Sequence, residues 1–311
     1  MELVASLIAF SRQRQHLPQS DAVNTSGIEK DRMSTTFSET PVESVKQYWD
    51  ARPCNLRHST ASVGSRQYFD EVEARKHFVE PHIPSFAEFE KWKGKKVLEI
   101  GCGMGTATMC FARAGAQVTA VDLSSKSLEL AKQRADVFGL SDRITFYNAN
   151  AEELSSVVPP EPYDLIYSFG VIHHTPHPER VMEQIRRHFV KPGTTLKLMV
   201  YNRYSWKVLW ILLTSGRGQF WKSDEWIARY SEAQTGCPIT YSYGRKSLAQ
   251  LIGSGFLIKD MSVDHIFPYR IPDYVQYRYV KEWYWRWMPA ALFRALERRY
   301  GWHLCATAIA T

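Results

Sequence analysis

The stretch Val97-Leu98-Glu99-Ile100-Gly101-Cys102-Gly103-Met104-Gly105 decides the fold. A short apolar run ends in a turn with three glycines, and a helical pattern over 106–114 follows it. Strand, glycine turn and helix open a βαβ unit, in which glycine lets the backbone take positive φ and come close to a ligand. The spacing is not that of a dinucleotide fingerprint, because the third glycine is Gly105 and the next position is Thr106. Glu99 also stands two residues before the first glycine. A carboxylate there repels a pyrophosphate and attracts an ammonium or sulfonium group.

Outward from this turn the alternation continues. The pattern predicts a strand over 117–122, a helix over 124–138 with Ser124 as N-cap and Gly139 as its stop, and strands over 144–148 and 163–168. A helix over 178–189 and a strand over 194–200 follow. Five strands alternating with helices imply a mostly parallel sheet covered on both faces. A helix at 245–252 and strands at 256–262 and 302–308 complete an α/β, Rossmann-like sheet of seven strands. Asp122 ends the second strand, where a carboxylate can accept from both ribose hydroxyls. Asn150-Ala151-Glu152 follows the third strand, and the Asn150 amide oxygen can accept from an adenine amino group.

These residues, at successive strand ends, resemble the class I S-adenosylmethionine-dependent methyltransferases, in particular the small-molecule branch that includes quinone and natural-product enzymes. The resemblance covers about residues 94–200 and the closing strands after 245. It implies S-adenosyl-L-methionine as cofactor, with the segment Glu99, Gly101, Cys102, Gly103 and Gly105 around its methionine part. It also implies Asp122, beside Leu123, on the ribose. Asn150, Ala151 and Ser168 complete the expected cofactor-binding set. The family usually has Asp where Asn150 stands, and Asn keeps the acceptor.

The chemistry belongs beyond the carboxyl ends of the strands. There the sequence reads Phe169-Gly170-Val171-Ile172-His173-His174-Thr175-Pro176-His177-Pro178. His173 or His174 can serve as base for an acceptor that must lose a proton, and each can equally pack beneath the cofactor or cap a helix. Tyr201, just past the fifth strand, is the third catalytic candidate, for the acceptor pocket or as packing on the lead-in helices. No metal is expected at the three histidines, since no flanking carboxylate or cysteine completes a ligand set.

Residues 1–40 are rich in Ser, Thr and Gln and are expected to be a disordered leader, with Met33 a possible second start. Residues 41–93 carry helical periodicity and predict a helical cover, with the methyltransferase-like domain over 94–311. Two insertions, 201–244 and 263–301, interrupt the grammar. Of the aromatic residues, 23 lie after residue 200, including eight of the ten Trp, so the insertions are expected to converge as an aromatic lid over an apolar acceptor.

Composition limits the alternatives. A net charge of +7 is too modest for a charge-driven nucleic-acid binder, and no separate RNA-binding module is visible. Five widely spaced cysteines without a Cys-x-x-Cys pair fit a reduced compartment. The apolar run at 3–10 has Glu2 before it and arginines after it, the reverse of an export signal. No run approaches the roughly 20 apolar residues of a spanning helix. The expectation is a cytoplasmic enzyme of small-molecule biosynthesis that methylates oxygen or carbon of a small hydrophobic or lipid-like acceptor. Its basic, Trp-rich C-terminal segment suits peripheral contact with a membrane. An RNA or protein methyltransferase, or an inactive cofactor-binding partner subunit, is the alternative.

Overall fold

The computed structural model describes residues 37–231 and 236–311; the expected leader lies, but for its last four residues, outside them. The chain enters through helices α1 (Val42–Ala51), α2 (Arg66–Val79) and the short α3 (Ile83–Ala87). Strand β1 (Lys96–Ile100) then leads into α4 (Thr106–Arg113), β2 (Gln117–Asp122) and α5 (Ser125–Phe138). Ser124 caps α5 by accepting from the Ser127 amide, and Gly139 ends it in the left-handed conformation, as the sequence predicts.

Next come β3 (Ile144–Asn148), β4 (Leu165–Phe169), α6 (Pro178–His188) and β5 (Thr195–Tyr201). The first insertion carries α7 (Trp206–Thr214) and α8 (Ser223–Tyr230). Then α9 (Arg245–Ile252), β6 (Phe256–Asp264), two single helical turns, α10 (Ala290–Tyr300) and β7 (His303–Ala310) close the fold.

The sheet order is β3-β2-β1-β4-β5-β7-β6, with β7 antiparallel to both neighbours. The switch in order falls between β1 and β4, which places the glycine turn and the loop after β4 side by side. Period-two alternation divides β1 between two cores. Leu98 and Ile100 pack with Val181, Met182 and Ile185 of α6, whereas Val97 packs with Met109 and Phe111 of α4. Glu99 shares the α4 face.

Strands β4 to β7 differ from their expected bounds by one or two residues at an end. The ladder, rather than the apolar pattern, sets the limits: β6 runs on to Asp264 because Asp264 pairs with His303. The cover helices are tied down by Arg134 of α5, whose side chain is fully buried. It donates to the Phe69 carbonyl at 3.1 Å, Glu73 at 2.8 Å and the Thr106 hydroxyl at 2.9 Å. One guanidinium thus joins α2 to the first residue of α4, directly behind the glycine turn.

Candidate active site

The glycine turn is shaped by close approach on one side and open space on the other. Gly101 has φ +82°, and a Cβ there would stand 2.1 Å from Val171 of the loop after β4. Gly103 has φ +54°, and a Cβ there would meet nothing within 4 Å. The turn therefore packs against protein at its first glycine and presents bare backbone to a cleft at its second.

Asp122 fixes this geometry. Its Oδ2 accepts the Gly103 amide at 2.7 Å and its Oδ1 accepts the Ser124 amide at 2.8 Å. Burial nonetheless outweighs these bonds and raises its carboxyl to about 6. Ser124 in turn donates its hydroxyl to Asp50 of α1 at 2.8 Å. The Asp50 carboxyl is held down at about 2 by Lys46, Ser124 and Lys126, which together overcome its partial burial.

Glu99 is buried at 4% exposure, and desolvation raises its carboxyl to about 8 despite the bond donated by the Thr108 hydroxyl. A carboxyl so placed lacks a cation. Cys102, between Gly101 and Gly103, is buried, and its thiol is raised well above the usual range by burial and then by Asp122 and Glu99. Leu123, half-buried, and Ala151 pack into the core cluster behind the strand ends. Asn150 caps the short 3-10 helix Ala151–Ser156, its Oδ1 accepting from the Glu152 amide at 3.1 Å, so the expected acceptor atom already has one donor. Ser168 is turned to structure: it is fully buried and donates to the Ile100 carbonyl at 3.0 Å, joining β4 to β1.

Four aromatic side chains meet beyond β4 and β5. The His173 ring lies 3.9 Å from Tyr201 and 4.2 Å from His174, and Tyr201 stacks on Trp302 at 4.1 Å. His173 is fully buried with neither ring nitrogen hydrogen-bonded, and burial drops its basicity well below the usual imidazole range. The carbonyl of Ile239 stands 2.7 Å from His174 Nδ1, which selects the Nδ1–H tautomer. Trp49 of α1 packs edge-on against the same ring at 5.2 Å.

Residues 237–243 of the first insertion pack over the histidines, with the Tyr241 amide donating to the His173 carbonyl at 2.9 Å. The second insertion divides: Tyr274 and Tyr277 flank the buried Arg75 guanidinium of α2 at 4.1 and 4.2 Å, and α10 packs on β6. The insertions meet each other at Trp206 and Trp285, 5.8 Å apart.

Residues 97–193 match the family model described as methyltransferase domain. This segment is a class I S-adenosylmethionine-dependent methyltransferase domain. Relatives named ubiquinone biosynthesis O-methyltransferase agree: that of Haemophilus ducreyi is 34% identical over 113 residues, 35% of this chain and 47% of its own length. That of Proteus mirabilis is 31% identical over 123 residues, 40% of this chain and 48% of its own. The chain thus spans about half the length of these relatives.

The domain's fold recurs in magnesium protoporphyrin IX methyltransferase of Synechocystis, with TM-score 0.55, 15% identity, 87% of this chain and all of that one. Geranyl diphosphate C-methyltransferase of Streptomyces coelicolor gives 0.52 at 15% identity, covering 90% of this chain and all of that one. The methyltransferase domain's own geometry fits the cofactor that names its family. A buried carboxyl without a cation, open backbone at Gly103 and an acid at the end of β2 suit an ammonium, a close-lying chain and a ribose in turn.

Sequence reading missed Asp50, Thr108 and Arg134, which support the site from other elements. Thr108 was findable, being the third residue of the helix that the glycine loop opens. Asp50 and Arg134 act across 74 and 65 residues of chain, and no local pattern marks them.

Proposed function

We propose that this chain moves the methyl group of S-adenosylmethionine to an oxygen of a small apolar acceptor. The observation that carries this reading is Glu99, a buried carboxyl with no cation beside it among the described residues, at the foot of a glycine turn open at Gly103. Glu99 would take the ammonium of the cofactor, the turn its methionine chain, and the remaining lone pairs of Asp122 the ribose hydroxyls. Asn150 and Ala151 would border the adenine. The bound cofactor supplies an electrophilic methyl on a sulfonium.

Positioning carries most of such a displacement. The His173 ring, held neutral by burial, would receive the hydroxyl proton as the acceptor oxygen bonds to the methyl and the C–S electron pair remains on sulfur. Tyr201 and Trp302 would wall the acceptor side, with Trp49 and residues 237–243 excluding water. Oxygen rather than carbon is favoured by the O-methyltransferase names of the relatives.

An anionic membrane surface is the proposed source of the acceptor. Trp206, Leu209 and Leu213 expose one face of α7, and Trp206 continues through Tyr284 at 6.4 Å to the exposed Trp283. Arg286 and the exposed Trp287 extend this patch. Aromatic rings beside cationic side chains suit the headgroup boundary. Among the described residues no helix is long and apolar enough to cross a membrane.

The deciding experiment incubates the purified chain and methyl-labelled S-adenosylmethionine with a lipid and quinone extract, then separates organic from aqueous and macromolecular label. Label in the organic phase that disappears with Glu99→Gln is expected. Label confined to RNA or protein, or none at all, overturns the reading.

A further inference from the structure

A second cluster of chemistry-bearing side chains stands outside the cofactor cleft. Glu80 just past α2, His265 just past β6 and His303 at the start of β7 each bring a ligand atom within 4.8 Å of the others. In sequence these residues are far apart, and only the sheet and the cover helix join them. Both imidazoles are buried and stack at 4.5 Å. Two aligned histidine rings beside a carboxylate gain little from packing alone, because apolar side chains would fill the space without polar atoms to satisfy.

Two further observations point to a ligand. First, His303 Nδ1 lies 3.0 Å from His82 Nε2, and His82 Nδ1 lies 3.8 Å from Asp264. The His82 contact orients the His303 ring and leaves Nε2 to face outward from it, the arrangement that outer partners impose on a metal-bound histidine. Second, His265 has φ +72°, a left-handed conformation that costs a non-glycine residue about 1–3 kcal/mol and persists where surrounding structure enforces it. The Trp302 amide does so, donating to the His265 carbonyl at 2.7 Å. Glu80 is meanwhile paired with Lys76 at 2.8 Å, and an ion would share that carboxylate with the ammonium.

We propose that Glu80, His265 and His303 bind a first-row divalent metal ion of the zinc class, with His82 orienting His303 from behind. Two imidazoles and one carboxylate select such an ion over magnesium or calcium, which prefer oxygen throughout. Three protein ligands leave coordination positions open, as in catalytic rather than closed structural sites. The donor atoms would draw together on binding, since bonds of about 2.0–2.2 Å require a tighter set than the one seen. A cavity of about 210 Å³ between α3 and strands β5, β6 and β7 is lined by His82 and Asp264, the residues behind His303, and by none of the three ligands. The site shares the sheet edge of the acceptor side: His303 is in register with Tyr201, and its ring lies 5.4 Å from Phe169.

The test uses the full chain, stripped with a chelator, dialysed and titrated with Zn²⁺ by calorimetry and with Co²⁺ by visible absorption. One equivalent of tightly held metal and a raised Tm are expected. Glu80→Gln and His303→Gln should each abolish the bound equivalent, and His82→Gln should weaken it about tenfold to hundredfold. Glu80 lies at the edge of the cluster, so its variant remains informative if His303→Gln does not fold. Absence of a stoichiometric site in the wild type, or undiminished affinity in Glu80→Gln, overturns the proposal. S-adenosylmethionine titrated into the same stripped protein reports on the cofactor site separately, so failure of one reading is distinguishable from failure of the other.

Discussion

The carboxylate of Asp122 holds the amide of Gly103 at 2.7 Å, and this bond makes the end of β2 and the glycine turn a single unit. Sequence reading offers Asp122 as a ribose ligand or as a cap for the next helix, and on the ligand reading Asp122→Ala weakens cofactor binding with little loss of folding. The structure adds a structural role. Two backbone amides lose their acceptor in Asp122→Ala, at about 1–3 kcal/mol for each donor left buried and unpaired. The expected result is a lowered urea midpoint together with at least tenfold weaker S-adenosylmethionine binding by calorimetry. A variant with native midpoint and native affinity would remove Asp122 from both roles.

Glu99 makes cofactor binding proton-linked. Its carboxyl is raised from about 4.5 in the unfolded chain to about 8, so the folded protein keeps a proton that the unfolded chain releases. The stability this contributes is complete below pH 4.5 and is lost as pH rises to about 8. A cationic ligand favours the carboxylate, so binding below pH 8 should expel that proton. Affinity should rise up to about tenfold per pH unit between 6 and 7.5, until the α-amino group of the ligand itself begins to titrate near 7.7–8.0. Calorimetry in buffers of different ionisation enthalpy measures the proton directly. Glu99→Gln should bind weakly with a flat pH profile.

Arg134 is the joint between the cover and the domain. Replacing it by Met retains the volume but takes one of the two guanidinium partners from Glu73 and the second donor from the Phe69 carbonyl. A loss of about 3–5 kcal/mol is expected for breaking such a buried pair, read from chemical denaturation. Because Thr106 also loses its bond from Arg134, amide exchange at 103–108 should accelerate.

Exposed aromatic residues should serve the membrane rather than the fold. Trp283 and Trp287 are 69% and 81% exposed, so changing both to Ala should alter stability by no more than about 1 kcal/mol. Sedimentation with anionic vesicles should fall severalfold in the double variant, while cofactor affinity stays native. Equal sedimentation of variant and wild type would assign those rings elsewhere.

His173 separates binding from chemistry. His173→Asn should leave the S-adenosylmethionine Kd within about twofold and lower kcat by about 10²–10⁴ if the ring accepts the proton. An unchanged kcat would return the ring to packing against Tyr201.

By itself the sequence determined the alternation of strands and helices from β1 to β5 and the glycine turn with Glu99 and Asp122, because these depend on apolar periodicity, glycine and caps acting within a few residues. It also placed His173 and His174 beyond β4. Only tertiary structure decided what each side chain does there. Ser168 turned inward to a neighbouring strand's carbonyl, Asn150 gave its oxygen to a cap, and the second insertion divided between Arg75 of α2 and strand β6. The links from Asp50 to Ser124, from Arg134 to Phe69, and among Glu80, His265 and His303 cross long stretches of chain. Hydrogen bonds and desolvation depend on distance in space, which residue spacing encodes only within one helix, strand or turn, so these partnerships arise when the sheet and its cover bring remote segments into contact.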